Sequence, residues 1–170
     1  MRQTVFSVLA LSTLLSLNGC SRERVSFHPE LANKVLIVKS AHTLTLMSND
    51  RILRTYKVAL GRNPVGPKTR KGDHKTPEGQ YVIDEKKANS RFYHALHISY
   101  PNDADQKRAL ALRVDPGSDV EIHGIQNGFG WIGKLHRTID WTDGCIALTD
   151  PEIDEIWDRV AVGTSVEIKP

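Results

Sequence analysis

The sequence predicts a mainly β domain with a few short helices. Apolar and polar residues alternate with the two-residue period of strands in residues 43–46 and 56–60. The turn residues Ser48-Asn49-Asp50 lie between them, so an antiparallel meander is expected. A helical period follows Asp150-Pro151-Glu152, which has the features of a capped helix start. Trp157 lies on the apolar face of this helix and is expected in the core.

The other elements follow from the same patterns. A short helix is expected over residues 102–112. Gly163 is expected to break the chain before the last strand. Strands are expected at residues 35–39, 43–47, 52–60, 80–83, 91–100 and 166–168.

Length and composition limit the class of protein. The chain has 170 residues, of which 39% are hydrophobic and 25% charged, as is ordinary for a globular domain. These values exclude a disordered chain and a protein with several membrane spans. The formal net charge is only +3, which does not indicate a nucleic-acid-binding protein.

The first residues have the pattern of an export signal. Arg2 is followed by an apolar stretch over residues 5–17, which is too short for a comfortable membrane span. Leu17-Asn18-Gly19-Cys20 resembles the cleavage box of bacterial lipoproteins, in which the cysteine becomes the lipid-bearing first residue. Cleavage without lipid is the alternative, because Asn18 is unusual at its position.

The chain is therefore expected to have three parts. These are a signal peptide over residues 1–19, a lipidated tether over residues 20–33 and one domain over residues 34–170. By the same resemblance, Ser21 after Cys20 favours sorting to the outer membrane. The expected location is the periplasm, with the protein attached to the membrane through the lipid on Cys20.

Residues 61–79 form the longest expected irregular segment, with four glycines and three prolines. The segment is close to a phosphate-binding loop, but Pro67 removes a backbone N–H group and no helix follows. A solvated basic loop is one interpretation. The alternative is a lip over a cleft, with Arg62, Lys68 and Arg70 near the carboxylates of a substrate.

Two strand patterns carry reactive side chains. In residues 145–148, Cys145 and Ala147 alternate with two large apolar residues and are expected to face away from the core. In residues 120–123, His123 occupies an outward-facing position in the same way. If the two strands are neighbours, the imidazole and the thiol lie on one face of the sheet.

These residue types suit acyl transfer. A thiol with a pKa of ~8.5 is mostly protonated at neutral pH, and a histidine can accept its proton and return it to a leaving amine. Gly144 leaves room beside Cys145 for a substrate backbone, and the N–H groups of this turn are candidate oxyanion donors. A buried structural cysteine is the alternative. His136 is the rival base, but it lies in a loop, without the strand alternation that orients His123.

The cysteine count bears on the same question. The chain has two cysteines, and acylation of Cys20 would leave Cys145 without a disulfide partner. The spacing of His123, His136 and Cys145 lacks the paired pattern of zinc sites. No metal or organic cofactor is expected.

His123-Gly124, followed after a glycine-rich interval by Thr142-Asp143-Gly144-Cys145-Ile146, resembles the signature of the L,D-transpeptidase catalytic (YkuD-type) domain family of bacterial cell-wall enzymes. Asp143 stands where that family usually has a second histidine, and Ala147 stands where it usually has Arg or Asn. Thr-Asp-Gly-Cys in place of Ser-His-Gly-Cys looks like a branch of the family. The resemblance covers most of residues 34–169 and implies a mixed, β-sandwich-like sheet.

The resemblance also implies roles for individual residues. Cys145 carries the acyl intermediate, His123 is the base, and the Gly124 carbonyl orients the histidine ring. Independently of the resemblance, the charge of Asp143 beside Cys145 predicts a pairing with His136 or Arg137 that fixes the loop. The candidate substrate-binding residues are Arg62, His97, Trp131, Arg137, Thr142 and Asp143.

The substrates that the resemblance implies are peptidoglycan stem peptides. A Cys145 thioester would be resolved by an amine of another stem peptide or of a protein, in cross-linking or remodelling of the wall. Hydrolysis of wall peptides by an L,D-carboxypeptidase or amidase is the alternative, because the altered positions leave the acceptor open. A non-catalytic peptidoglycan-binding lipoprotein is a third reading.

Overall fold

The computed structural model describes residues 29–170. The predicted signal peptide, the lipidated Cys20 and most of the tether therefore lie outside the described residues. The first strand begins at Ala32, just before the predicted domain boundary at Lys34.

Within this range the chain forms strands, two α-helices and one 3₁₀ segment. Neither α-helix has the length and hydrophobicity that a membrane span needs, and the same holds for the rest of the described chain. The elements are β1 (Ala32–Val38), β2 (Thr43–Ser48), β3 (Arg51–Lys57), β4 (Gly79–Ser90), β5 (Tyr93–Ile98), α1 (Asp103–Leu112), β6 (Glu121–His123), the 3₁₀ segment (Gly130–Thr138), β7 (Ile146–Ala147), α2 (Asp150–Arg159) and β8 (Val160–Lys169).

The strands form one mixed sheet in the order β3-β2-β1-β8-β4-β5-β6-β7. β1 pairs with β8 and β6 pairs with β7 in parallel, whereas the other neighbours are antiparallel. Just after β3, Ala59 bridges to Ala147 of β7 and Gly61 bridges to Thr142. The chain that leaves one edge of the sheet thus runs along the other edge, so the sheet curls strongly. The predicted mainly β, mixed sheet with few helices is confirmed.

The core lies inside this curl, and α2 covers part of it with Ile153 and Ile156. Trp157, which was predicted in the core, is only half-buried at its margin. Its ring stacks on the His94 ring with 4.6 Å between centroids, and Lys86 Nζ lies 4.4 Å from its centroid. Trp157 therefore packs the end of α2 against His94 and Lys86 of the sheet.

Several element boundaries differ from the predictions. β4 extends to Ser90 instead of ending near residue 83, and β8 begins at Val160 instead of residue 166. Gly163 was predicted to break the chain before the last strand, but it lies inside β8 with a φ of 92°. A register shift in the pairing of β8 with β1 absorbs the extra residues, as a β-bulge does. β3 ends at Lys57 because the following residues leave β2 to bridge β7.

Candidate active site

The parallel pairing of β6 with β7 fixes the position of the candidate catalytic side chains. His123 lies opposite Ala147 in the register, so Glu121 lies beside Cys145. The Glu121 N–H group donates to Cys145 Sγ over 3.4 Å, and Sγ lies 3.6 Å from the Asp119 carbonyl oxygen that accepts its proton. Because alternate residues of a strand share a face, the His123 ring and the thiol lie on the same face of the sheet.

The face of the sheet that carries His123 and Cys145 was predicted to point away from the core, but other side chains cover much of it. His123 is only 1% exposed, and Ala147 is fully buried. The rings of Phe92 and Trp141 lie against the His123 ring, with 4.5 and 5.8 Å between centroids. On the other side, Ala59 pairs along Ala147. The covering residues come from distant parts of the chain, which a local period does not reveal.

The His123 ring is held in one tautomer. Its Nδ1 lies 2.6 Å from the Gly124 carbonyl oxygen, and since a carbonyl can only accept, Nδ1 carries the proton. In the neutral ring Nε2 is then a proton acceptor. Burial lowers the pKa of His123, while the hydrogen bond to Gly124 opposes that effect. The ring is therefore neutral at neutral pH.

The turn at Gly124 is in turn supported by the start of α2. A side chain at Gly124 would place its Cβ 2.8 Å from Asp150 Oδ1, so glycine is required for the close approach. The same Oδ1 accepts from the Ile125 N–H group over 2.8 Å. Asp150 does not cap α2 as the sequence suggested. Thr149 is the N-cap, with Glu152 completing a capping box.

The Cys145 thiol is protonated in this structure. Burial raises the pKa of Cys145 to about 11, and the carboxylates of Glu121 and Asp143 act in the same direction, whereas the Glu121 N–H group opposes them. Among the described residues, no hydrogen bond joins the His123 ring to Sγ. The two groups thus form a neutral thiol and a neutral imidazole, and a preformed thiolate–imidazolium pair is absent from the described structure.

The turn before Cys145 is held by its own polar groups. The Thr142 hydroxyl donates to the Cys145 carbonyl over 2.7 Å and accepts from the Gly144 N–H group over 3.2 Å. Thr142 is buried, so it organises the turn and does not face the cleft as a substrate-binding residue would. The Gly144 N–H group is occupied, whereas the Cys145 N–H group has no acceptor within residues 29–170.

Gly144 is required for a different reason from the one predicted. Its φ is 132°, and a Cβ there would lie 2.6 Å from the Lys75 carbonyl oxygen. Lys75 belongs to residues 61–78, which we call the lip loop. The space at Gly144 is therefore filled by the lip loop, which packs directly on the turn that carries Cys145.

The lip loop is anchored to the sheet by a buried lysine. Lys39 is 3% exposed, and its Nζ donates to the Gly66 carbonyl, the Thr76 carbonyl and Glu78 Oε1 over 2.7, 2.9 and 2.8 Å. These acceptors lie in the middle and at the end of the loop. A single buried cation thus holds the loop in place, and each of its three protons has an acceptor.

Cys145 lines a cleft of about 330 Å³ between the lip loop and the turn before β6. Lys71 and His74 of the lip loop line it, with Asp119 on the opposite side. Lys68 also reaches the cleft but is 4% exposed, and its Nζ donates to Asp73 Oδ1 over 2.9 Å. This charge pair and three backbone N–H groups hold the pKa of Asp73 down near 2 against the effect of burial. Lys68 therefore braces the loop more than it faces solvent.

Asp143 pairs with the lip loop, and the expected pairing with His136 or Arg137 is wrong. Its carboxylate accepts from the Arg62 guanidinium and lies 2.8 Å from His74 Nδ1. The hydrogen bond from Arg62 lowers the pKa of Asp143, and His74 adds to that effect. Arg137 instead forms a half-buried ion pair with Glu152. Arg62 is thus at the mouth of the cleft, and Arg137 is committed to the start of α2.

The other sequence candidates lie apart from the thiol. His97 on β5 pairs with Glu121 across the sheet, and its Nδ1 lies 2.6 Å from Asp84 Oδ1. Trp131 is 81% exposed on the 3₁₀ segment and does not line the Cys145 cleft. His136, the rival base, is buried, and this burial, with the Arg137 charge, lowers its pKa to about 4. It accepts a hydrogen bond of 3.4 Å from Trp141 Nε1 and has no contact with Sγ.

Sequence reasoning missed several residues of the site. Lys71 and His74 lie in a run that the sequence predicts as solvated and basic, Lys39 ends a predicted apolar strand, and Phe92 lies at a strand start with no distinguishing signal. Glu121 could have been found, because its strand position makes it the register neighbour of Cys145 once the two strands are paired.

Comparison with known proteins places this geometry in a family. A family model for the L,D-transpeptidase catalytic domain (YkuD) matches residues 32–168. YafK of Escherichia coli K12 is 31% identical over 132 residues, which are 74% of this chain and 46% of YafK. The helical cell shape determining protein Pgp2 of Campylobacter jejuni superposes with a TM-score of 0.63 at 25% identity, over 81% of this chain and 48% of Pgp2.

An L,D-transpeptidase of Mycobacterium smegmatis shares the fold, with a TM-score of 0.54 at 18% identity over 81% of this chain and 58% of that one. The chain spans about half the length of the relatives it matches. Because the family match covers nearly all of the described domain, the chain belongs to the L,D-transpeptidase catalytic domain family.

Proposed function

We propose that the protein is a cysteine-dependent acyltransferase that acts on peptidoglycan stem peptides. Cys145 is the nucleophile and His123 is the base. The observation that carries the proposal is the register of β6 and β7, which sets an oriented imidazole on the same face as a thiol that lines a cleft. Membership of the L,D-transpeptidase family supports the same chemistry.

The first half of the reaction forms a thioester. Sγ attacks the carbonyl carbon of a stem-peptide amide while His123 Nε2 takes the thiol proton. The Cys145 N–H group, which has no acceptor among the residues that the structure describes, suits the oxygen that becomes negative. The carbon–nitrogen bond then breaks, and the departing amine takes the proton from His123. Proton transfer accompanies attack because both groups are neutral at rest.

The second half returns the free thiol. His123 takes a proton from an acceptor amine, whose nitrogen attacks the thioester carbon to form the new amide. The carbon–sulfur bond breaks, and Cys145 recovers its proton from the imidazolium. With water as acceptor the same steps release a carboxylic acid, so transpeptidase and hydrolase differ only in the acceptor. Lys71 in the cleft suits the carboxylates of stem peptides.

Intact-protein mass spectrometry tests the proposal. The wild-type protein and the Cys145→Ala variant are incubated with purified peptidoglycan tetrapeptides, and the peptide products are analysed. An adduct that needs Cys145, with cross-linked products, supports transpeptidation, whereas an adduct with only trimmed peptides supports the hydrolase. No adduct and no product from the wild type contradicts the proposal and favours a binding module.

Matched lysine variants test the use of the cleft charges. Lys71→Ala removes a cation that lines the cleft, whereas Lys107→Ala removes an exposed cation on α1. We expect the first to slow thioester formation and the second to leave it unchanged. Equal rates of thioester formation in the two variants would show that the Lys71 charge of the lip loop takes no part in substrate recognition.

We further propose that the protein is exported and anchored by a lipid on Cys20, in the periplasm at the outer membrane. The cleavage box at residues 17–20 and the absence of Asp after Cys20 support this location. Mass analysis of the mature N-terminus and membrane fractionation test it. We expect Cys20→Ser to abolish the lipid mass and release the protein from the membrane fraction, and an unlipidated wild-type protein would contradict the anchor.

A further inference from the structure

A buried lysine of the lip loop lies beside the turn that carries Cys145. Lys68 is 4% exposed, and it is part of the lining of the Cys145 cleft. Its Nζ lies 3.9 Å from the position that a Cβ on Gly144 would occupy. The ammonium group is therefore close to the backbone that immediately precedes Cys145, and the reaction described above gives this cation no role.

The bracing contacts of Lys68 do not use all of its protons. An ammonium group has three protons to donate. Two of them have acceptors within residues 29–170, the Arg70 carbonyl oxygen at 3.2 Å and Asp73 Oδ1 at 2.9 Å. Lys39, by contrast, has an acceptor for each of its three protons. Lys68 therefore keeps some capacity to stabilise further negative charge, whereas Lys39 is fully committed to anchoring the loop.

The Asp73 carboxylate does not cancel the charge of Lys68 at the cleft. Three backbone N–H groups of the lip loop donate to this carboxylate over 2.8, 3.0 and 3.1 Å, and their dipoles offset its negative charge. Lys68 lines the cleft together with Cys145, whereas Asp73 is absent from the lining. The ion pair thus presents its positive end to the thiol.

Several charges surround the thiol, and the carboxylates among them oppose its ionisation. Burial raises the pKa of Cys145 most, the carboxylates of Glu121 and Asp143 add to that effect, and the Lys68 charge acts against them. A buried charge is screened less by water and salt than an exposed one such as that of Lys71. The ionisable groups around the thiol are Glu121 and His123 of β6, Asp119 before β6, Asp143 of the same turn, and Lys68, Lys71 and His74 of the lip loop.

We propose that Lys68 is a positioning residue that acts through Cys145: its buried positive charge stabilises the negative charge that develops at the Cys145 turn, first on Sγ and then on the carbonyl oxygen under attack. This inference rests on the proposed function, since it assigns a further residue to the same reaction. Lys68 neither gives nor takes a proton, so the bonds that form and break are those already described. Its effect is to ease the removal of the proton from a thiol that burial keeps neutral.

Two substitutions that break the same ion pair test the charge of Lys68. Lys68→Met removes the cation, whereas Asp73→Asn keeps the cation and removes its counter-charge. The readout is the rate at which iodoacetamide alkylates native Cys145 between about pH 7 and 9. We expect the rate at each pH to fall about tenfold in Lys68→Met and to rise severalfold in Asp73→Asn, because the fraction of thiolate follows the local charge.

The opposite signs separate an effect of charge from an effect of structure. Both variants lose the same brace of the lip loop, so a purely structural role would move both rates in one direction, and that result would overturn the proposal. If Lys68→Met does not fold, Asp73→Asn decides alone. A rate in Asp73→Asn at or below that of the wild type then overturns the proposal.

Lys39→Met is the control for a loosened lip loop. Lys39 holds the same loop through a buried ammonium group but does not line the Cys145 cleft. A loosened loop gives water access to the thiol, and because burial is the main cause of its raised pKa, alkylation should be as fast as in the wild type or faster. A slowing equal to that in Lys68→Met would assign the effect to loop packing and overturn the proposal.

The thioester test with peptidoglycan tetrapeptides fails or succeeds separately. We expect Lys68→Met to slow adduct formation about tenfold at saturating peptide, with the concentration for half-saturation little changed, because the charge acts on the attacking group. An adduct in the wild type with an unaltered alkylation rate in Lys68→Met rejects the role of Lys68 alone. Altered alkylation rates with no adduct from the wild type reject the reaction and leave only the effect of Lys68 on the thiol.

Discussion

The substitution Gly144→Ala probes the contact between the lip loop and the Cys145 turn. The backbone at Gly144 has a φ of 132°, which residues with a side chain rarely adopt, and the added Cβ would lie 2.6 Å from the Lys75 carbonyl oxygen. The conformational cost alone is about 1–3 kcal/mol. The steric conflict adds to it, because backbone and not a flexible side chain must move. We expect a total loss of about 3–4 kcal/mol in the free energy of unfolding, by combination of these terms.

Gly163→Ala is the matched control for this substitution. Gly163 also has a positive φ, 92°, but a Cβ there meets no atom within 4 Å. Its substitution should cost only the conformational term, about 1–2 kcal/mol. In thermal unfolding at about 3 °C per kcal/mol, the midpoint should fall by roughly 10 °C for Gly144→Ala and roughly 4 °C for the control.

Thioester formation separates the two variants further. A turn displaced by the lip loop moves Sγ relative to His123, so Gly144→Ala should slow adduct formation on the order of 100-fold. Gly163 lies in β8, away from the site, and its substitution should leave the rate unchanged. Equal losses of stability, or an unaltered rate in a folded Gly144→Ala protein, would refute the packing of the lip loop on the turn.

Three other predictions follow from buried ionisable groups. The rate at which iodoacetamide alkylates native Cys145 should rise about tenfold per pH unit between about pH 7 and 10, because the pKa of the thiol is raised to about 11. A rate that reaches a plateau below about pH 9 would contradict a buried neutral thiol. Lys39→Met should lower the free energy of unfolding in urea by about 3–5 kcal/mol. The control Lys34→Met breaks a more exposed pair with Glu167 and should cost under about 1 kcal/mol. Similar losses in the two variants would contradict the role of Lys39 as the anchor of the lip loop. Burial lowers the pKa of His136 to about 4, below the unfolded value near 6.5, so stability should be lost as the pH falls between them. The expected loss in the free energy of unfolding, measured by urea denaturation, is about 3 kcal/mol. If stability fell equally steeply with pH in the His136→Phe variant, the protons taken up on unfolding would belong to another group.

The strands of this domain were predictable where one face is buried and the other is exposed. β2 shows the alternation in its sequence and was found close to its observed limits, whereas β5, in which the neighbours Ala95 and Leu96 are both buried, was predicted two residues too long at each end. β4 was found only in part, because residues 84–90 extend beyond the apolar core and are mostly polar. Periodicity detects burial, and a strand that leaves the core loses the signal while keeping its hydrogen bonds.

The candidate site was predictable in its pairing of strands but not in its electrostatics. The patterns around His123 and Cys145 place both on one face if the strands are neighbours, and they are. The partners of Asp143 could not be found in the same way. Arg62 and His74 lie 81 and 69 residues away in sequence. His136 and Arg137 seemed suitable because they are near in the chain, but the 3₁₀ segment directs them to Trp141 and Glu152 instead.

The residue at position 143 has a consistent explanation in the lip loop. A carboxylate beside a thiol raises the thiol pKa and opposes ionisation, so Asp143 by itself would hinder the proposed attack. Its two partners, Arg62 and His74, are cationic or can become so, and both belong to the lip loop. The same loop touches the turn at Gly144. Asp143 therefore adds side-chain contacts to the backbone hydrogen bond that the Arg62 N–H group donates to the Thr142 carbonyl, and its partners offset the charge that it brings. Under the proposed function such a tie needs no general base at position 143, because the register of β6 and β7 brings His123 to the face that carries Cys145.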